Sequence, residues 1–533
     1  MKLNNKIIIC FVLIFTAGCT KLDQKLQDSF VSSPTSGGAS DVNALLNGAY
    51  NSMNGLMHAQ DLMFSLQETT SDEALIPVRG CDWDDNGVWR VLHEHTWTNI
   101  HTQMSNVFNA LGTLESGAIT VLAFKPTQAQ AAEALFLRSL AQFYFLDLFG
   151  QVPYRDVQNY NTITAAPVLQ PEQAVDTLVA TLTRIIPILP NANVPYKASP
   201  DAARFLLMKV LLNKGAFLNK KAPTFDAADM QQVITLGQAI SANGYSLTPN
   251  YFDNFGPKNA TLSKERILAW PNSGASSSNG INSGGINARW MMTLHYNSYD
   301  KDNNYKSAGW NGFSTVADFY NTFQTGDKRV GNQTYPDVTD RSGLKPGFLV
   351  GLQYNEAGDT IVDRQGNPLA FTPDVKLIET DRQRLEVAGI RVVKYPPDYN
   401  AYSSGNQTNQ LQIFRYADVL LMIAEAKLRS ATPDAAGALS IVNDLRIARG
   451  ATALTSLTLV DPANVANPNT LLSERGREMY WESWRRQDLI RFGVFLTKWA
   501  LKEADQDPER NLLFPIAPNQ LLANPNLHQN PGY

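Results

Sequence analysis

Two stretches near the C-terminus, FRYADVLLMIAEAKLR (residues 414–429) and LLSERGREMYWESWRRQDLIRFG (residues 471–493), constrain the fold more than any other part of the chain. In the first, Tyr416, Leu420, Ile423, Ala424 and Leu428 follow one helical face. Val419, Leu421, Met422 and Ala426 leave almost no polar face opposite, which predicts a largely buried helix. Asp418 and Glu425 then require partners, because removing one member of a buried ion pair costs about 3–5 kcal/mol. The second stretch also reads as a helix, and its Arg475, Arg477, Arg485 and Arg486 are the candidate partners. Its carboxylates Glu474, Glu478 and Glu482 recur at i, i+4 steps, which suits interhelical ion pairing better than acid–base catalysis. Structural ion pairs are therefore expected at Asp418, Glu425, Glu474, Arg475, Glu478 and Arg485.

At the other end, residues 1–18 contain Lys2 and Lys6, the apolar run IIICFVLIF, and Thr16-Ala17-Gly18 before Cys19. A charged start, a short apolar region and small residues at the junction make a signal peptide. The run is too short for a membrane span. The junction predicts lipidation of Cys19, although Thr16 stands where Leu is commoner, and ordinary secretion is the alternative. Of the three cysteines, Cys10 leaves with the signal and Cys19 takes the lipid, so Cys81 has no partner for a disulfide. Residues 19–38, ending in SSPTSGG, read as a lipidated tether. Without residues 1–18 the formal charge of −4 becomes −6, since two lysines and no acid are lost. No nucleic-acid partner is expected of such a chain.

Residues 39–246 read as helical, beginning near Asp41 with Val42, Leu45, Leu46, Ala49 and Met53 on one face. Further helices are predicted over 98–114, 127–149, 171–186, 201–219 and 227–243, a succession of helical hairpins. An interruption at 71–97 carries Gly80, Gly87 and the DWDDNG cluster, so Trp83 falls on a loop. Between 247 and 412 the chain turns to Gly, Ser, Asn and aromatics, with short strands predicted at 348–354, 360–363 and 391–395. Such a long loop-rich insertion in a helical protein is commonly functional. Residues 413–533 return to helix.

Nine Trp and nineteen Tyr exceed what a core requires, so some rings are available to a ligand. Sugar rings offer a C–H face to aromatics and hydroxyls to fixed amides, carboxylates and guanidinium groups. Two loops match that chemistry: one with Arg79, Asp82, Trp83 and Asp85, the other with Tyr299, Trp310 and Asn311. Trp97 and Trp290 read as core. His93-Glu94-His95 and His101 lack the spacing of a helical zinc site, and the DKDNN run from Asp300 lacks the glycine and terminal glutamate of a calcium loop. No metal, cofactor or catalytic residue is assigned, and no phosphate, dinucleotide or nucleophile-elbow motif is present.

RYADVLLMIAEA, the pattern Glu474, Arg475, Glu478, Glu482, Arg485 and Asp488 through Gly493, and the closing NPNLHQNPGY resemble the C-terminal half of the SusD/RagB family. Ser483 departs from it, standing where the family has Gly. The resemblance implies a mainly α fold: a tetratricopeptide-like helical bundle with a long loop-rich insertion carrying short strands. It further implies a glycan-binding lipoprotein at the cell surface, held on the outer membrane by its lipid and working with a SusC-like TonB-dependent transporter. Ligand binding would be built from the early loop and the insertion, and no chemistry would be performed. A peptide-binding member of the same family and a surface glycoside hydrolase are the rival readings.

Overall fold

The computed structural model describes residues 39–191, 194–272, 285–298, 309–331, 345–354, 358–397, 407–507 and 510–533, with side chains from residue 42. Cys19, the leader and tether, the DKDNN run and Tyr299 lie outside the described residues.

Six long helices build the first half: α1 (Ala39–His58), α2 (Thr102–Ala123), α3 (Gln128–Phe149), α4 (Pro171–Ile185), α5 (Pro200–Leu218) and α6 (Ala227–Ser241). Their starts are written locally. Thr127 and Gln130 make a reciprocal capping box for α3, Ser199 caps α5 ahead of Pro200, and Asp226 accepts from Ala228 N and Asp229 N at α6. Gly150, at φ 68°, ends α3. Each helix packs on the one before it in a tetratricopeptide-like bundle, with α3 and α5 buried along most of their length. α2 runs beyond the predicted Leu114 because Glu115 is neutralised inside the bundle. Arg138 Nε and Gln142 Nε2 of α3 donate to it at 3.3 and 3.1 Å.

Four longer helices complete the core: α7 (Tyr416–Arg429), α8 (Ala435–Ala448), α9 (Leu471–Met479) and α10 (Arg485–Arg491). α7 packs directly on α6, so the segment between them is an excursion from one continuous bundle. The approach is close: a Cβ on Gly237 of α6 would lie 2.6 Å from Ile423 Cγ1 of α7. Phe414 and Arg415, predicted helical, instead finish a strand.

That excursion and the early loop carry short strands: β1 (Val78–Arg79), β2 (Arg266–Trp270), β3 (Gly347–Leu349), β4 (Ile378–Glu379), β5 (Arg391–Val393) and β6 (Leu411–Arg415). β2 and β6 pair antiparallel, bringing the two ends of the insertion together, with Leu411 opposite Trp270. β3 and β5 pair antiparallel within it, whereas β1 pairs parallel with β4. The early loop is thereby stitched to the insertion.

The predicted single helix over 471–493 is two helices. Between α9 and α10 the backbone turns at Trp481 (φ 57°) and Ser483 (φ 68°). The turn is stabilised from afar: the N–H groups of Ser483 and Trp484 donate to Glu68 Oε1, and that of Trp481 to Glu73 Oε2. Those carboxylates replace the intrahelical acceptors that a continuous helix would have used.

Candidate functional site

The C-terminal charges form a closed, buried network. Asp418 lies 2.9 Å from Arg475 and 2.7 Å from Lys209, and Glu425 lies 2.8 Å from Arg491. Glu474 meets Arg446 at 2.6 Å, Arg329 at 2.7 Å and Arg477 at 2.5 Å. Glu478 is held by Arg415 at 2.7 Å and Arg449 at 2.8 Å, and Arg485 by Asp72 at 2.6 Å. Burial pushes the Glu474 carboxyl up, but Arg329, Arg477 and Arg446 outweigh it and hold it at about 2. All these side chains are almost wholly shielded from solvent, so the cluster supports the fold and offers no surface. Six partners, Lys209, Arg329, Arg415, Arg446, Arg449 and Arg491, stand outside the four arginines nominated from sequence. Arg486 corrects that nomination in the other direction: its Nη2 donates to the Leu512 carbonyl and its guanidinium covers Phe514 at 4.3 Å.

The early loop and the insertion meet in one place. Trp83 Nε1 donates to the Trp310 carbonyl at 2.8 Å, and the Tyr296 hydroxyl to Asp82 at 2.7 Å. Trp83 stands edge-on to Phe313 at 5.7 Å and to Trp89 at 6.1 Å, while Trp89 Nε1 donates to Asp85 at 2.7 Å. The backbone of Gly312 runs against the Trp83 ring so closely that a Cβ there would fall 2.4 Å from it. Trp83 and Trp310 remain partly exposed, Asp82 is intermediate and Asp85 fully at the surface.

Arg79 and Asn311 lie beneath this face and not on it. Arg79 is 3% exposed; its Nη1 donates to the Leu385 and Ala388 carbonyls and its Nη2 to Ser314 Oγ at 2.9 Å. Asn311, in the left-handed region at φ 52°, accepts from Arg391 Nη2 at 2.7 Å. Burial lowers both arginines, Arg79 to about 10. Both tie loop carbonyls together beneath the face.

One contributor carries no sequence signal. Arg364, about half exposed, stacks over Tyr296 at 4.2 Å and holds Glu386 at 2.6 Å, with Asp82 at 3.5 Å. The face therefore combines two indole surfaces with a guanidinium and two carboxylates. Among the described residues it presents no nucleophile–base pair. The histidines singled out earlier are in hydrogen bonds: His93 between the Ala74 and Ala500 carbonyls, His95 between Thr70 O and Asp505. His101 reaches Val88 O. Among the described residues no three His, Cys, Asp or Glu side chains converge on a metal position, and no helix is long and apolar enough to cross a membrane.

The fold is a helical-hairpin bundle whose loop insertion and early loop share an aromatic, polar face. Comparison with known proteins is more specific. Residues 275–533 match the SusD family model. The chain is 24% identical to SusD-like protein P2 of Formosa agariphila over 558 residues, covering 99% of each. It is 24% identical to the starch-binding protein SusD of Bacteroides thetaiotaomicron over 458 residues, 76% of this chain and 73% of that one. A SusD superfamily crystal structure from Parabacteroides distasonis superposes with a TM-score of 0.69 at 18% identity, covering 93% of this chain and 99% of the other. By the family-model match, residues 275–533 belong to the SusD family.

Proposed function

We propose that this chain is a surface glycan-binding protein that performs no chemistry, taking an oligosaccharide on the face of Trp83 and Trp310. The observation that carries this reading is the convergence of the two loops: partly exposed indoles stand beside Asp82, Asp85 and Arg364 over a rigid, hydrogen-bonded frame. Indoles stack on the C–H faces of pyranose rings, and carboxylate and guanidinium groups bind their hydroxyls. A relative bearing the name starch-binding protein SusD supports the same class of ligand. Tyr299, beside this loop in sequence, belongs to the proposed site.

On this reading residues 1–18 are removed, Cys19 is lipidated, and residues 19–38 hold the protein above the outer membrane. The helical half, residues 39–246, would face a SusC-like TonB-dependent transporter, while the 247–412 insertion holds the sugar and the 413–533 segment closes the bundle. A Cys19→Ala variant that remains membrane-bound would overturn the anchor. The ligand class is tested by affinity electrophoresis and calorimetry of the purified protein against starch, laminarin, other soluble polysaccharides and mixed peptides. Retardation by a polysaccharide without cleavage is expected. Binding to peptides alone, or release of reducing sugar, would replace the reading by one of its rivals.

A further inference from the structure

Glu68 and Glu73 lie on the stretch leading from α1 to the early loop, and both are buried. Glu68 Oε1 takes the N–H groups of Ser483 and Trp484, and Glu73 Oε2 takes that of Trp481 at 3.3 Å. Glu68 Oε2 meets no N–H or O–H donor among the described residues. The side chain within hydrogen-bonding reach of Glu68 is the Glu73 carboxyl itself.

The surrounding charges do not neutralise the pair. Arg485 is committed to Asp72 at 2.6 Å and only approaches Glu73, at 3.5 Å. Lys394 pairs with Glu482 at 2.5 Å. Arg289 donates to the Met57 carbonyl and covers Phe64 at 4.4 Å, with His58 beyond it. Arg485, Lys394 and Arg289 act on the pair but do not offset its burial, so the two apposed carboxylates do not both stay ionised. Burial holds both carboxyls above the ordinary range, and the charge of Glu68 raises Glu73 further.

The turn they hold is joined to the ligand face by rings. Trp481 lies 6.4 Å from Phe313, and Phe313 5.7 Å from Trp83. We propose that Glu68 and Glu73 are positioning residues for the ligand face, sharing one proton that lets the 480–484 turn hold Trp481 beneath Phe313 and Trp83. The proposal rests on the glycan reading above and adds to it a dependence of affinity on pH. With the proton present, one carboxyl donates to the other and all three backbone N–H groups keep their acceptors. Once it leaves, two facing negative charges push the turn apart. The folded pair binds a proton that the unfolded chain releases near its ordinary carboxyl pKa. Stability therefore declines as pH rises from the unfolded toward the folded value, and affinity declines as the folded pair itself loses the proton.

The test compares the parent with Glu68→Gln, whose amide oxygen still accepts the two N–H groups while its NH₂ donates toward Glu73. The slopes are read as differences between the two proteins over about pH 6.5 to 8, because the buried histidines, neutral when folded but still partly protonated when unfolded at the acid end, titrate alike in both. Burial lowers Lys394 to about 8, so it loses up to half its charge at the alkaline end, in parent and variant alike. Across that window the parent's melting temperature should fall. Its affinity for the polysaccharide that retards it should fall with it, by up to about tenfold per pH unit as one proton departs. Relative to the parent, Glu68→Gln should lack this decline in both, and it should match the parent at the acid end.

If Glu68→Gln keeps the parent's melting slope, or the parent has none, no proton is shared and the proposal is overturned. A lost melting slope alongside a parent affinity that ignores pH makes the pair purely structural and sinks the positioning role. If no polysaccharide binds at any pH, the glycan reading fails separately. Near-UV dichroism of the tryptophans over the same window then decides the proposal: a parent signal that changes with pH and is fixed in Glu68→Gln supports it, and an unchanging one overturns it. Should Glu68→Gln not fold, Glu73→Gln restores the same donor–acceptor pair from the other side and is read in its place.

Discussion

Trp97, Trp290, Trp481 and Trp484 are buried, whereas Trp83 and Trp310 keep part of each ring in solvent, and that difference decides which substitutions report on binding. Trp310→Ala or Trp83→Ala is expected to weaken oligosaccharide binding by about 1–4 kcal/mol, as anchor residues do, with far-ultraviolet dichroism unchanged. Trp310→Ala is the cleaner variant, because Trp83 also packs on Phe313 and Gly312. Calorimetry that finds both variants binding as the parent does would move the site elsewhere. Arg475→Ala belongs to the other class of residue. Asp418 would keep Lys209 at 2.7 Å and Asp488 would keep Arg491 at 2.6 Å, so the loss should sit at the lower end of about 3–5 kcal/mol, measured in thermal melts. The carboxylates of this network were readable, because Asp418 and Glu425 interrupt an otherwise apolar helix. Most of their partners were not, since Lys209, Arg329 and Arg449 come from separate elements that no spacing connects. Arg79 misled for the same reason: a loop arginine among Asp and Gly resembles a ligand contact until its carbonyl partners, hundreds of residues downstream, are known.

Among elements, the helices with local start signals were legible almost to the residue. The break between α9 and α10 was not, since YWESW contains neither Gly nor Pro, and the groups that cap it belong to Glu68 and Glu73. Ser483 occupies a backbone conformation that costs a side-chain-bearing residue about 1–2 kcal/mol, which accounts for the glycine in the family pattern. Ser483→Gly should be neutral or stabilise the protein by up to about 1 kcal/mol, the entropy of glycine in the unfolded chain offsetting part of the relief. Ser483→Val should destabilise it by a similar amount or more. Denaturant titrations of the two variants check the signs, and a destabilised glycine variant would mean the hydroxyl has a role that its geometry does not reveal.

For the whole molecule, acid is the expected weakness. Arginines hold Glu474 at about 2 against burial, and Glu425, Asp418, Glu478 and Asp488 are likewise held below the ordinary carboxylate range. A depressed folded pKa contributes stability that is complete above the unfolded value and lost as pH falls through the folded one. Burial also keeps His58 down at about 3 and His95 at about 4, so their protonation in the unfolded chain acts in the same direction. The melting temperature should therefore drop steeply between about pH 4.5 and 2. Because the pairs are buried, added salt should change that profile little. The direct packing of α6 on α7 bears on something other than stability. Their contact closes a loop of residues 242–415, and the entropy of closing a loop grows only logarithmically, by about 0.6 kcal/mol for each doubling of its length. Insertions of very different length can hang from the same pair of helices at nearly equal thermodynamic cost. The bundle is thus a fixed chassis, on which natural variation is free to rebuild the ligand-bearing segment without having to rediscover the fold.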